Sequence, residues 1–98
     1  MNKPLVSIIT PCYNGEEFVD RYFKSILEQT YTNLELIFVN DGSTDNTEEI
    51  ALSYKAKLEN KGIHFLYLKQ DNAGQATALN RGLKLFTGKY LTWPDSDD

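Results

Sequence analysis

The chain has 98 residues, 41% of them hydrophobic and 12% aromatic, with ten Lys and Arg against fourteen Asp and Glu for a net charge of −4. That length makes one small domain with a modest core, and the absence of a basic stripe points away from a nucleic-acid groove. An anionic ligand would have to be met by a metal ion or by backbone N–H groups.

Residues 5–10 are a near-continuous apolar and β-branched run, which predicts a strand covered on both faces. Pro11 lacks an N–H and is expected to end ladder pairing there. Cys12 is the single cysteine, so no internal disulfide can form and a reducing compartment is expected. With no neighbouring His or other base, Cys12 reads as a small buried hydrophobe, not a nucleophile. Tyr13, Asn14 and Gly15 form a turn into a helix whose apolar stripe is Phe18, Val19, Tyr22, Phe23, Ile26 and Leu27. Glu16, Glu17 and Asp20 crowd its N-terminal end, as the helix dipole favours.

Tyr31 to Asn33 turn the chain into a second strand, built on Leu34, Leu36, Ile37, Phe38 and Val39. It stops at Asn40, Asp41, Gly42 and Ser43, and so delivers the Asp41 carboxylate to a strand tip. Asp45 and Glu48 have capping-box spacing at the start of a second helix, expected over residues 46–60. That helix places Ile50, Ala51, Tyr54 and Leu58 on one face and stops at Gly62. Residues 63–69 return to strand, where His64 has no partner at metal-site spacing. After a turn at residues 71–74, a third helix is expected over residues 75–86, with Ala76, Leu79, Leu83 and Phe86 inward and Gly88 closing it. Residues 89–93 form a fourth strand, followed by Pro94, Asp95, Ser96, Asp97 and Asp98.

The order β-α-β-α-β-α-β predicts an α/β fold, a three-layer, Rossmann-like parallel sheet with helices on both faces. No G-x-G-x-x-G follows the first strand, which counts against a dinucleotide-binding dehydrogenase. The second and fourth strands both end in carboxylates, and in a parallel sheet those tips share one edge. Asp41 would there meet Asp95, Asp97 and Asp98, whose like charges repel and raise one another's pKa. A hard cation, Mn²⁺ or Mg²⁺, relieves that repulsion and completes its shell with phosphate oxygens and water. Asp95 and Asp97 alternate in an extended segment, so both side chains lie on one face.

Four segments in this order carry a resemblance: residues 6–14, 39–45, 72–82 and 95–98. Together they resemble the N-terminal half of a family 2 glycosyltransferase of the GT-A fold, and the resemblance covers essentially the whole chain. Many members of that family have Asp where Asn40 stands, while the second acid, Asp41, is present. The resemblance implies an inverting, metal-dependent enzyme that moves a sugar from a nucleotide-sugar, typically a UDP-sugar, to an acceptor hydroxyl, with cell-surface polysaccharide synthesis as the setting. It implies that Thr10, Pro11 and Tyr13 border the base and that Asp41 hydrogen-bonds it, uracil being the usual one. Asp95-Ser96-Asp97 would be the D-x-D motif, with Asp95 and Ser96 at the nucleotide, Asp95 also facing the cation, and Asp97 as its ligand. Asp98 is the alternative for that last role.

Family members continue for roughly a second domain's worth of chain, so residues 1–98 are expected to be a donor-binding subdomain truncated at D-x-D. The general base and the site for a glycan or lipid-linked acceptor are expected beyond residue 98, and the fragment alone is expected to be inactive. The start lacks a signal-peptide core and no stretch approaches a membrane span, so a cytoplasmic protein is expected. Attachment to the inner face of the membrane would come from downstream sequence. Two other classes compete. One is a non-catalytic nucleotide-binding or interaction domain whose carboxylates only cap strands. The other is a nucleotidyltransferase of related fold, disfavoured because residues 11–15 hold no Lys or Arg.

Overall fold

A computed structural model describes residues 4–86, 88 and 90–92. The elements are β1 (Val6–Cys12), α1 (Glu16–Glu28), β2 (Leu34–Asp41), α2 (Thr47–Ser53), α3 (Lys55–Asn60), β3 (His64–Gln70), α4 (Gln75–Leu83) and β4 (Tyr90–Thr92). All pairings are parallel, in the order β3-β2-β1-β4. The chain therefore steps outward from β1 through β2 to β3, then returns across the sheet to place β4 on the other side of β1. If every crossover keeps one hand, that reversal sends the last helix to the opposite face.

The core divides accordingly. On one face Val19, Tyr22 and Phe23 of α1, Ala51 of α2 and Leu58 of α3 pack against Leu36 and Phe38 of β2 and Phe65 of β3. On the other, Ala78 of α4 meets Ile9, Ile37 and Val39, with Leu68, Leu79, Leu83 and Phe86 packed around them. Strand alternation explains the division: residues 36 and 38 of β2 face one layer, 37 and 39 the other. Phe23 anchors α1, its ring 5.2 Å from Tyr54 and 5.6 Å from Phe65. Truncating so buried a ring costs about 3–5 kcal/mol.

The structure corrects five local expectations. Pro11 does not end the ladder, because β1 continues with Pro11 level with Val39 and Cys12 level with Asn40. The N–H of Val6 donates to Asn33 of the neighbouring connection, so by alternation the Pro11 nitrogen faces the β4 side. On that side the described pairing runs from Val6 to Ile8, and on the other side Pro11 removes no N–H from the ladder with β2.

The expected second helix is two, α2 and α3, joined at Tyr54, whose N–H bonds Ala51 three residues back at 3.2 Å. The third helix ends at Leu83, and its buried residues are Ala78 and Gly82, while Ala76 is exposed. Gly88 does not cap it. A Cβ on Gly88 would stand 2.4 Å from Ser7 Oγ, and its N–H donates to that oxygen at 2.9 Å, so its role is close approach to β1. The Asp45–Glu48 capping box does not form. Glu48 instead accepts from Tyr67 and Lys69, and Asp45 serves other donors.

Gly62 ends α3 as expected. With φ +89° it lets its N–H reach Glu59 and the Ile63 N–H reach Leu58, the two bonds of a Schellman stop. Among the described residues no helix is long and apolar enough to cross a membrane.

Candidate functional site

The carboxyl ends of the strands form one edge. Cys12 is level with Asn40 and Asn40 with Lys69, while Asp41 is level with Gln70. Because β4 lies parallel to β1, it advances toward the same edge, and the reversal of strand order falls between those two. Ligands of open parallel sheets bind in that position.

Tyr13, just past the tip of β1, is 48% exposed and presents an open aromatic ring. Thr10 and Pro11 lie beneath it in the strand, both buried. The Thr10 hydroxyl is 2.5 Å from the Tyr22 hydroxyl, so Thr10 looks inward to α1. Burial pushes the Tyr22 phenol far above its ordinary pKa, so that pair stays uncharged.

Asp41 sits at the tip of β2 and is 1% exposed. Its Oδ1 accepts from Gln70 Nε2 at 2.9 Å and from the Ala73 N–H at 2.8 Å, and its Oδ2 accepts from the Gly74 N–H at 2.9 Å. Burial alone would raise its pKa, but the hydrogen bonds from Ala73, Gln70 and Gly74 outweigh it and hold the carboxyl below its ordinary value. Asn40, one residue earlier, faces the opposite layer. Its Nδ2 donates to the Tyr67 hydroxyl at 2.9 Å, and that hydroxyl donates onward to Glu48 at 3.0 Å. Burial, with the Glu48 carboxylate beside it, pushes the Tyr67 phenol up to about 12.

Beside these residues is a clasp between two turns that sequence reasoning did not anticipate. The Asn14 N–H donates to Ser43 Oγ at 2.8 Å, and Asn14 Oδ1 accepts the Thr44 N–H at 2.8 Å. The Gly15 N–H donates to Thr47 Oγ1 at 3.0 Å, and Asp45 Oδ1 accepts the Thr47 N–H at 3.0 Å. Asn14 holds φ at +51° to make these contacts. The available signal was that a parallel sheet puts the turn after β1 beside the turn after β2, and both are rich in Asn, Asp, Ser and Thr.

Asp95, Ser96, Asp97 and Asp98 lie outside the described residues. Among the described residues, no three His, Cys, Asp or Glu side chains gather into a group able to hold a metal ion. His64 is exposed at the start of β3, at the opposite edge of the sheet from the strand tips.

The sequence matches the family described as Glycosyl transferase family 2 over residues 7–98. An uncharacterized glycosyltransferase of Rickettsia prowazekii is 50% identical over 95 residues, a match covering 97% of this chain and 28% of that protein. The chain thus spans little more than a quarter of that relative's length. Among solved structures, residues 1–349 of S. aureus TarS superpose with a TM-score of 0.82 at 31% identity, over 95% of this chain and 27% of that one. TarS has also been solved in complex with UDP and with UDP-GlcNAc. The mannosyltransferase PcManGT from Pyrobaculum calidifontis, in complex with GDP-Man and Mn²⁺, gives a TM-score of 0.83 at 28% identity, over 98% of this chain and 28% of that one.

Proposed function

The chain belongs to glycosyl transferase family 2, and from that premise we propose that it is the donor-binding part of an inverting, metal-dependent glycosyltransferase using a nucleoside diphosphate sugar, with UDP as the nucleotide. The observation that carries this reading is the common edge. The strand tips bearing Tyr13 and Asp41 are level with one another, and β4 advances toward them immediately before the acidic segment 95–98. The UDP-bound TarS structures support the choice of base, and the Mn²⁺ in PcManGT supports a divalent ion.

In this reading Tyr13 offers its ring to the base, and Thr10 and Pro11 set the strand that carries it. Asp41 serves the nucleotide from the tip of β2. Asp95 and Ser96 lie against the nucleotide, and Asp97, with Asp95 and Asp98, holds Mn²⁺ or Mg²⁺. When bound, such an ion supplies the positive charge that a departing diphosphate requires. The general base and the acceptor site, for a glycan or a lipid-linked sugar, are contributed by residues outside these 98.

Calorimetric titration of UDP, GDP and ADP into the chain with Mn²⁺ present tests the proposal. UDP is expected to bind tightest. Binding of none of them, or of ADP as tightly as UDP, would contradict it.

A further inference from the structure

Among the described residues, β3 is an edge strand and no strand pairs with its outer side. The ladder decides which of its groups face outward. The Val6 N–H donates to Asn33, so the even-numbered residues of β1 face β2. By alternation the odd-numbered residues of β2 face β1 and its even-numbered residues face β3. Leu36 is level with Phe65, so its backbone bonds go to the residues on either side of Phe65. Phe65, Tyr67 and Lys69 therefore turn their own N–H and C=O groups away from the sheet. The bond from Arg81 Nη1 to the Lys69 carbonyl, at 3.0 Å, agrees with that orientation. Edge strands are commonly blunted by brevity, a bulge, proline or charge. β3 has seven residues, no proline and an unbroken register, and it leaves Leu66 40% exposed. Its one charged side chain is Lys69, near one end.

We propose that this edge joins two copies of the chain, β3 pairing antiparallel with β3 of a second copy about a two-fold axis at Tyr67. The proposal is independent of the donor-binding reading. Tyr67 is the middle residue of the strand, so the axis places Phe65 opposite Lys69 of the second copy. The outward groups of Phe65, Tyr67 and Lys69 then exchange N–H···O=C bonds along the whole strand. The Lys69 carbonyl keeps a second lone pair for this beside its bond from Arg81. On the α4 layer, Leu66 meets Leu68 of the second copy in the closer, non-hydrogen-bonded kind of pair. Charge is complementary in the same register. Lys69 is 58% exposed and held only by Glu48 at 3.4 Å. At the other end of β3, Glu59 and Phe65 line a cavity of about 390 Å³. Among the described residues the Glu59 carboxylate has no hydrogen-bond or ion-pair partner. Phe65 and Lys69 both face the layer of α2 and α3, so Lys69 of the second copy comes within reach of Glu59, and the axis repeats the contact. A two-fold axis closes at two copies. The antiparallel strands turn the two carboxyl edges in opposite directions, leaving both open. One strand edge buries less than the roughly 1,200–2,000 Å² of a stable interface, so the dimer is weak and concentration-dependent.

Sedimentation velocity of the 98-residue chain from about 10 µM to about 1 mM tests the proposal, and the chain should shift from monomer toward dimer across that range. Lys69→Glu and Glu59→Lys each bring like charges together at both contacts, so each alone should weaken association about tenfold. Mixed in equal amounts, the two variants should associate as the wild type does, because the mixed pair has opposite charges at both contacts. A merely structural role for Lys69 or Glu59 would give no such rescue. A wild-type chain that stays monomeric throughout would overturn the proposal, as would single variants that associate unchanged or a mixture that fails to recover. Amide hydrogen exchange gives a readout that needs no variant to fold. Protection at Phe65, Tyr67 and Lys69 should rise with chain concentration, while Leu66 and Leu68, already bonded to β2, should not change. Exchange at Phe65, Tyr67 and Lys69 that is independent of concentration would equally overturn it.

Discussion

Glu16 and Asp45 start each other's helices. The N–H of Glu16, first residue of α1, donates to Asp45 Oδ2 at 3.2 Å, and the N–H of Asn46, at the head of α2, donates to Glu16 Oε1 at 3.1 Å. Neither helix receives a hydrogen bond from the side chain at its own cap position. Two orphaned helix starts are thus satisfied across the turns, 29 and 30 residues apart in sequence. Asp45→Ala should lower stability by about 1–2 kcal/mol, the usual cost of a lost cap. Glu16→Gln, which keeps an oxygen acceptor, should cost far less. Urea denaturation of the two variants checks the difference.

Acid should weaken the same edge. Burial opposes ionisation of Asp41 and of Asp45, yet in each the hydrogen bonds prevail and the carboxyl lies below its ordinary value. A carboxyl depressed on folding stabilises fully above its unfolded value of about 3.9, and that contribution is lost as pH falls through the folded value. Stability should therefore be flat near neutrality and decline below about pH 4–5. Replacing Asp41 by Asn should flatten the decline. Urea midpoints measured from pH 2 to 6 would show it, and an equally steep acid limb in the variant would contradict the assignment.

Asn40 makes a prediction of opposite sign. The Tyr67 hydroxyl has one proton and gives it to Glu48, so it can only accept from Asn40. Asn40→Asp would bury an acceptor facing an acceptor, at about 1–3 kcal/mol near neutral pH. The new carboxyl should titrate above the ordinary range, so the loss should shrink as pH falls and the acid becomes a donor. A variant as stable as wild type at pH 7 would show that the Asn40–Tyr67–Glu48 chain is oriented differently.

Gly82 sits where α4 crosses β1. A Cβ there would stand 2.4 Å from Ile9 Cγ2, a stiff β-branched methyl group in a closed core. Gly82→Ala should be destabilising by about 1–3 kcal/mol, the overpacking cost exceeding the roughly 1 kcal/mol gained in helix propensity. Thermal melting decides it, and a raised melting temperature would mean that α4 can lift off β1 freely.

The same glycine shows what the sequence could and could not reveal. The alternation of elements, the α1 stripe around Phe23 and the Gly62 stop follow local rules of period and turn chemistry, and all were legible. The inward face of α4 was not. Periodicity alone admits Ala76, whereas the chosen face is set by the fit of Gly82 against Ile9, a contact 73 positions away in sequence. Pro11 was misjudged for a related reason, since its tolerance depends on which neighbour its nitrogen faces. At the candidate site, the tip positions of Tyr13 and Asp41 were readable. The partners of Asp41 and the clasp around Asn14 were not, because they join turns that only the sheet order brings together.

The most direct test of the donor-binding reading is calorimetric titration of UDP into the 98-residue chain, with Mn²⁺ and again with excess chelator. In the proposed reading the acidic segment 95–98 serves a diphosphate in a chain of net charge −4, so binding should be clear with Mn²⁺ and absent with chelator. Asp97→Ala should abolish the metal-dependent binding while leaving the metal-free melting temperature unchanged or slightly raised, because removing one of several crowded carboxylates relieves repulsion. Equal UDP affinity with and without the ion would contradict the account.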